Sequence, residues 1–176
     1  WSMDVYATSA ADARLVVGVP NYELYDPSVE GYVVGAGIIE LFYFDGVFWQ
    51  WDQELSSPLI QEDMNFGAAV SITQLPDANY SILVGQSHGL DPINSGITRL
   101  ANTPGAVHQF IEDSPSNYFL YTTLDGRDLG MNDHYGFAIA DATLDSQQHI
   151  LIGAPTATHP LLNGNPATGG VDTYYP

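Results

Sequence analysis

The sequence contains no cysteine and no lysine among its 176 residues. Without cysteine, neither a disulfide framework nor a thiolate metal site can form. Three arginines face 21 acidic residues, so the formal net charge is -18 at pH 7. A charge of this sign and size disfavours nucleic acid and anionic membranes as partners, because both are negatively charged.

Long apolar runs and helical patterns are also absent. No stretch approaches the roughly 18 to 20 apolar residues that a membrane-spanning helix requires, so membrane insertion is not expected. No segment shows a convincing 3.6-residue period. The chain is nevertheless 45% hydrophobic and 12% aromatic, which is typical of a folded globular body and not of an acidic disordered segment.

A pattern that recurs about every 68 residues is the main feature that is present. In each occurrence, an aromatic residue and a small one precede an apolar strand, and a second apolar strand ends in glycine. Self-similarity at fixed spacing is typical of repeat architectures, in which each unit buries its apolar face against its neighbours. We interpret the chain as one domain with repeats at residues 1–64, 65–133 and 134–176. The pairs are Trp1-Ser2, Phe66-Gly67 and Tyr135-Gly136, and the strand-ending glycines are Gly18, Gly85 and Gly153.

Short runs of β-branched and aromatic residues predict an all-β fold. The first two repeats each predict four strands, and the third predicts three. Four-stranded units of this kind pack as propeller blades, and closed propellers have about four to eight of them. We therefore expect a propeller segment of about 2.75 blades that is incomplete on its own and is completed by other copies or by neighbouring blades. The predicted strands are 3–7, 14–19, 37–44, 47–55, 67–73, 80–84, 106–112, 118–124, 136–140, 149–153 and 170–175.

Three long, turn-rich connections follow the second strand of each repeat, at residues 21–36, 86–104 and 156–169. Loops of this length in a compact domain are usually functional or poorly ordered. Their aromatic and polar side chains favour a role in ligand contact. The candidate ligand-binding residues in them are Tyr22, Tyr25, Asp26, His88, Asp91 and His159.

With its repeats aligned, the chain resembles the FG-GAP repeats of integrin-α-like β-propellers. The resemblance is carried by Phe66-Gly67-Ala68-Ala69-Val70 and, in the third repeat, by Tyr135-Gly136, Gly153-Ala154-Pro155 and Gly169-Gly170-Val171. The hairpin sequence Tyr43-Phe44-Asp45-Gly46-Val47-Phe48-Trp49 is similar to that of bacterial members.

The resemblance implies a secreted or cell-surface module without catalytic activity, used for adhesion, ligand contact or assembly within a larger surface or filament protein. It also implies that the residues before each aromatic-glycine pair lie beside the long loops, which adds Asp63 and Asp133 to the candidate ligand-binding residues. Two other functions stay open: an adhesin or lectin-like module that binds a glycan or another ligand, and a propeller accessory to a hydrolase.

Calcium is the ligand that many family repeats bind, through an Asp-x-Asp-x-Asp-Gly loop between their first two strands. Ca²⁺ needs six to eight oxygen ligands, and none of the three corresponding connections here offers three alternating carboxylates. We therefore predict no metal site and no cofactor. Residues 141–146 are the best remaining candidate for calcium.

Three other features of the sequence bear on function. Gly85-Gln86-Ser87-His88-Gly89 matches the nucleophile elbow of hydrolases, but residues 90–96 are too rich in turn formers to begin the helix that this motif needs, so no catalytic residue is assigned. The triplet Asn79-Tyr80-Ser81 makes Asn79 a glycosylation acceptor if the host glycosylates. Aromatic residues on the third and fourth strands are expected in the core between blades; they include Phe42, Phe44, Phe48, Trp49, Trp51, Tyr118, Phe119 and Tyr121.

Overall fold

The structure is a computed structural model that describes residues 1–9, 12–77, 79–87, 105–125, 134–144, 147–155 and 170–174. These residues form β-strands and turns, and no helix occurs among them. No segment of the described part is therefore a helix able to cross a membrane. In chain order the strands are β1 (Ser2–Ser9), β2 (Asp12–Val19), β3 (Leu24–Asp26), β4 (Gly31–Val33), β5 (Ile38–Phe44), β6 (Trp49–Ser56), β7 (Phe66–Gln74), β8 (Tyr80–Gln86), β9 (Ala106–Ser114), β10 (Asn117–Asp125), β11 (Ala138–Leu144), β12 (Gln147–Ala154) and β13 (Gly170–Tyr174).

The all-β prediction is confirmed, and all eleven predicted strands are present within a few residues of their expected bounds. The first sheet has the order β1-β2-β5-β6, the second β7-β8-β9-β10 and the third β11-β12-β13. Every pairing is antiparallel, and none of the three sheets closes on itself within the described residues. Each repeat therefore forms one sheet of its own, with its first strand at one edge.

A small hairpin in the first long connection was not predicted. It consists of β3 and β4, which pair Leu24 with Val33 and Tyr25 with Tyr32. Three-residue strands give too short an alternation to be recognised within a segment rich in turn residues. We call it the tyrosine hairpin, residues 21–36.

The three sheets pack face to face through two hydrophobic clusters that use opposite faces of the second sheet. On β8, Ile82 faces the first sheet and the adjacent Leu83 faces the third, because successive side chains of a strand point to opposite sides. All seven residues of β8 are buried. The first cluster comprises Val16, Ile39, Leu41, Phe66, Val70, Ile72, Tyr80, Ile82, Val84, Phe110 and Tyr118, and the second comprises Leu83, Val107, Tyr135, Ile150, Ile152 and Ala154.

Paired glycines hold neighbouring sheets in close contact. Gly67 and Gly136 have φ angles of +87° and +83°, a left-handed backbone that side chains disfavour. In this conformation the carbonyl of Gly67 lies where a Cβ on Gly18 would be, and the carbonyl of Gly136 lies where a Cβ on Gly85 would be. Ser2 Oγ also donates a hydrogen bond of 2.9 Å to the Gly67 carbonyl. The aromatic-glycine pairs Phe66-Gly67 and Tyr135-Gly136 therefore hold the second and third sheets close to the sheet that precedes each of them.

The first repeat differs from this scheme in one respect. The register shows that Ser2 occupies the position of Ala69 and Ala138, so Trp1-Ser2 is not equivalent to Phe66-Gly67 as the sequence suggested. The correspondence follows from the pairs Ser2 with Gly18, Ala69 with Gly85 and Ala138 with Gly153.

A polar contact joins the first and second sheets at the opposite end of these strands. The Tyr80 hydroxyl donates to Asp12 Oδ1 at 3.1 Å, and the Arg14 guanidinium carbon lies 5.0 Å from the centre of the Tyr80 ring. Burial and the bond to Asp12 raise the pKa of Tyr80 to about 12. The arrangement fixes the relative position of the sheets by a cation-π contact and a hydrogen bond to a carboxylate.

Candidate functional site

The first strands of the three sheets, β1, β7 and β11, line an open groove. Ser71 Oγ on β7 lies 2.6 Å from Asp141 Oδ1 on β11 and 3.3 Å from Asp4 Oδ2 on β1. A hydroxyl has a single proton, so Ser71 donates to one carboxylate at a time, and the shorter distance favours Asp141. The Ile72 amide donates to Asp4 Oδ2 at 2.9 Å. We call this group the inner-strand junction: Asp4, Ser71, Ile72 and Asp141.

The inner-strand junction supplies a hydrogen-bond acceptor to an edge strand of the second sheet. β7 ends its sheet, and an edge strand presents amides that its own sheet cannot pair. The Asp4 carboxylate accepts one of them from Ile72, and it also accepts a bond of 2.9 Å from the Val5 amide. In the described part of the chain, no group of three or more histidine, aspartate or glutamate residues could hold a metal ion. The arrangement is one that joins three repeats through hydrogen bonds to carboxylates.

Ser71→Ala is expected to lower the free energy of unfolding by about 1 to 2 kcal/mol, because it removes the hydroxyl shared by two carboxylates in a buried position. Added salt should reduce the loss by screening their repulsion. Urea unfolding at low and high salt measures this effect. The control is Ser114→Ala, an exposed serine whose hydroxyl bonds to its neighbour Asp113. If the two variants unfolded at the same urea concentration, Ser71 would not join the three sheets as described.

A second set of hydrogen-bonded polar side chains is centred on the second sheet. The His108 side chain is fully buried, with Nε2 at 3.1 Å from Gln86 Oε1 and Nδ1 at 3.0 Å from Thr123 Oγ1. Ser57 Oγ donates to the same Gln86 oxygen at 3.1 Å, and the Phe66 ring centre is 5.6 Å from that of His108. Burial lowers the pKa of His108 to about 4. The histidine is therefore held neutral as a hydrogen-bonded core residue.

The predicted ligand-binding residues are distributed as follows. Tyr22 and Tyr25 are exposed on the tyrosine hairpin, and Asp26 ends β3 just before its turn, where Oδ1 accepts a bond of 2.8 Å from the Ser28 amide. Asp63 lies against the same hairpin, because its amide donates to the Val34 carbonyl at 2.9 Å. The structure thus brings four of the eight together around one hairpin. The other four, His88, Asp91, Asp133 and His159, lie outside the described residues.

Tyr32 belongs to this surface and was missed by sequence reasoning. Its ring centre lies 5.5 Å from that of Tyr25, with the planes at 69° in an edge-to-face contact. The signal that would have found it is the pairing of two tyrosines across a short hairpin, which depends on recognising β3 and β4 first.

The structure also describes the surroundings of Asn79, the predicted glycosylation acceptor, and of Ser87, the serine of the hydrolase-like motif. Asn79 lies in the turn between β7 and β8, where its amide and Nδ2 donate to the carboxylate of Asp77 at 3.2 and 3.1 Å. Ser87 directly follows β8 and is buried. A buried hydroxyl at the end of a strand is not presented to a substrate in the way that a nucleophile elbow presents its serine.

No family model matches this chain, and a search of curated proteins likewise gives no match. The resemblance to FG-GAP repeats therefore stays a prediction that rests on the motifs quoted above.

Proposed function

We propose that this chain is a non-enzymatic interaction and structural module, an FG-GAP-like propeller segment that joins further sheets of the same kind. The added sheets come from other copies of the chain or from the remainder of a larger extracellular or cell-surface protein. The proposal is supported by the way in which the three repeats stack and by the surfaces that this stacking leaves open.

The stacking is compatible with sheets that spread outward from their first strands. β7 makes close backbone contacts with β1, β2 and β5, and β11 makes them with β7 and β8. The outer part of the first sheet meets the second through a side chain, where Gln53 Nε2 on β6 donates to the Ser116 carbonyl in the turn before β10 at 2.9 Å. Radial sheets that are closest at their inner strands are the arrangement found in propellers.

The open face of the first sheet is the observation that carries the proposal. By register, Met3 and Val5 on β1 correspond to Val70 and Ile72 on β7, which are buried against the preceding sheet. Met3 and Val5 are instead 70% and 55% exposed, and Trp51, which lies in the same row as Val5, is 59% exposed. The sequence interpretation placed Trp51 and its aromatic neighbours in the core, but in the structure several are exposed, including Phe48, Trp49, Phe119 and Tyr121. An apolar sheet face of this kind is typical of an interaction surface.

Gly153 gives independent support from the opposite end of the stack. Its equivalents Gly18 and Gly85 lack a side chain because a carbonyl of the next repeat occupies that place. At Gly153, the three atoms nearest to an added Cβ all belong to Ala138 of the same sheet, the closest being its Cβ at 3.3 Å. Glycine within a strand is less stable than alanine by about 0.5 to 1 kcal/mol. A further sheet that brings a backbone carbonyl to this position would account for the glycine.

The proposal is tested by Val5→Asp, which places a charge on the open face of the first sheet. We expect the wild-type chain to associate at high protein concentration in moderate salt and the variant to associate at least tenfold more weakly, because a buried unpaired carboxylate is costly. Analytical ultracentrifugation over a concentration series measures the association.

The matched control is Val47→Asp, which makes the same charge change at an exposed valine in the turn between β5 and β6. This variant should associate as the wild type does. A wild-type chain that stays monomeric at all concentrations, or equal losses in the two variants, would contradict assembly through this face.

A further inference from the structure

The tyrosine hairpin has features that sheet stacking does not explain. Backbone hydrogen bonds fasten its ends to the body of the molecule, from the Gly37 amide to the Tyr22 carbonyl at 3.0 Å and from the Asn65 amide to the Gly35 carbonyl at 2.9 Å. Val33 points to the body and is buried. The hairpin is therefore a fixed projection from the end of the first sheet.

The outward side of the hairpin is aromatic. Tyr25 and Tyr32 are 52% and 71% exposed, and Tyr22 is also exposed. The backbone that carries these tyrosines is already fixed, and each side chain has only two torsions to fix on binding. The entropic cost of binding to their rings is therefore low.

Among the described residues, the charged side chains on and next to the hairpin are acidic. Glu23 and Glu30 are exposed on the hairpin, and Asp63, whose amide bonds to the hairpin, is exposed together with its neighbour Glu62. The sequence contains no arginine or lysine between residues 15 and 98. A cation placed over a tyrosine face is attracted by the ring and here would also find carboxylates within reach.

We propose that the tyrosine hairpin docks a basic segment of a partner protein, with arginine or lysine side chains stacking on Tyr25 and Tyr32. Guanidinium is the favoured group, because it is planar, stacks on aromatic rings and binds carboxylates through two hydrogen bonds. The rings supply the contact area, and the surrounding acidic residues supply attraction and a fast encounter. This docking is separate from the open face of the first sheet, so the two proposals can fail independently.

The test is a titration of the 176-residue chain with a short peptide of alternating arginine and glycine in 150 mM salt. NMR follows the tyrosine ring resonances. We expect the resonances of Tyr25 and Tyr32 to shift on titration. The double variant Tyr25→Leu, Tyr32→Leu should weaken binding about tenfold, since each exposed cation-π contact contributes about three- to fivefold. The double variant Tyr25→Phe, Tyr32→Phe keeps both ring faces and should bind within about twofold of the wild type.

Charge variants separate this site from general attraction to an acidic protein. Glu23→Gln with Glu30→Gln should weaken peptide binding severalfold, whereas Glu54→Gln with Asp113→Asn, an equal charge change at exposed residues away from the hairpin, should change it less than twofold. These variants also test the site if the leucine variant does not fold.

Three results would overturn the proposal. They are equal losses in the two charge pairs, peptide binding that leaves the Tyr25 and Tyr32 resonances unmoved, and binding of a neutral oligosaccharide but not of the peptide. The last result would make the hairpin a lectin site.

Discussion

Gly85→Ala is expected to lower the free energy of unfolding by about 3 kcal/mol, which is a large part of the total for a domain of this size. The added Cβ would overlap the carbonyl of Gly136 and would also meet Ile139 Cδ1 at 3.2 Å. A side chain could rotate away from the new methyl group, but the Gly136 carbonyl is part of a left-handed backbone turn that holds the third sheet. Relief therefore requires the second and third sheets to separate, which exposes Val107 and Ile152 of the cluster between them.

The matched control is Gly153→Ala, the same change at the equivalent strand position of the third repeat. Its Cβ would lie 3.3 Å from Ala138 Cβ and 3.5 Å from the Ala138 carbonyl oxygen. A small adjustment accommodates it, and alanine is favoured over glycine in a strand, so the free energy of unfolding should change by less than about 1 kcal/mol. Urea unfolding followed by tryptophan fluorescence and circular dichroism measures both variants.

The pair of glycine variants also tests the role given to the aromatic-glycine motif. If Gly85→Ala were as stable as Gly153→Ala, the close approach of Gly136 to the second sheet would be wrong, and with it the explanation of the motif. If Gly153→Ala instead weakened self-association without affecting stability, the side of the third sheet at Gly153 would be shown to receive a further sheet.

The sequence was sufficient to predict the strands of the three sheets, because alternation and turn residues act locally and recur in each repeat. Phe66-Gly67 was recognised as a motif, but the reason for it is a contact with Gly18, almost fifty residues away. Trp1-Ser2 was mistaken for the same motif, because composition alone does not show that Ser2 pairs with Gly18 as Ala69 pairs with Gly85.

The candidate sites were predicted less completely than the fold. The concentration of Tyr22, Tyr25 and Asp26 in one connection was visible in the sequence, whereas their grouping with Asp63 was expected only from the family resemblance. The inner-strand junction was not predicted. Asp4 and Ser71 lie 67 positions apart, and they meet only because β1 and β7 are the edge strands of neighbouring sheets.

The burial of His108 on β9 makes it the source of a pH dependence. The unfolded chain binds a proton at histidine near pH 6.5, whereas the pKa of folded His108 is about 4. Between these values protons bind preferentially to the unfolded chain. The contribution of His108 to stability is therefore complete above about pH 6.5 and is lost progressively as the pH falls to about 4, by a total of about 3 kcal/mol.

This effect is isolated by comparing the wild type with His108→Gln, because the 21 acidic residues of the chain also titrate in acid. Glutamine keeps a donor for Gln86 but has no proton to gain in this range. The variant will be less stable at pH 7, since its shape does not fill the space beside Phe66. The difference in unfolding free energy between the two proteins should shift by about 3 kcal/mol in favour of the variant from pH 7 to pH 4.

Urea unfolding at several pH values gives this difference, and an NMR titration of the folded protein gives the pKa of His108 directly. A histidine that titrates near pH 6.5 in the folded state, or a stability difference that is constant with pH, would show that water reaches the ring. The hydrogen bonds to Gln86 and Thr123 would then not be those of a buried neutral imidazole. The expected result would instead show that burial of His108 in the second sheet, which is enclosed on both faces by its neighbours, couples protonation of this ring to unfolding of the molecule.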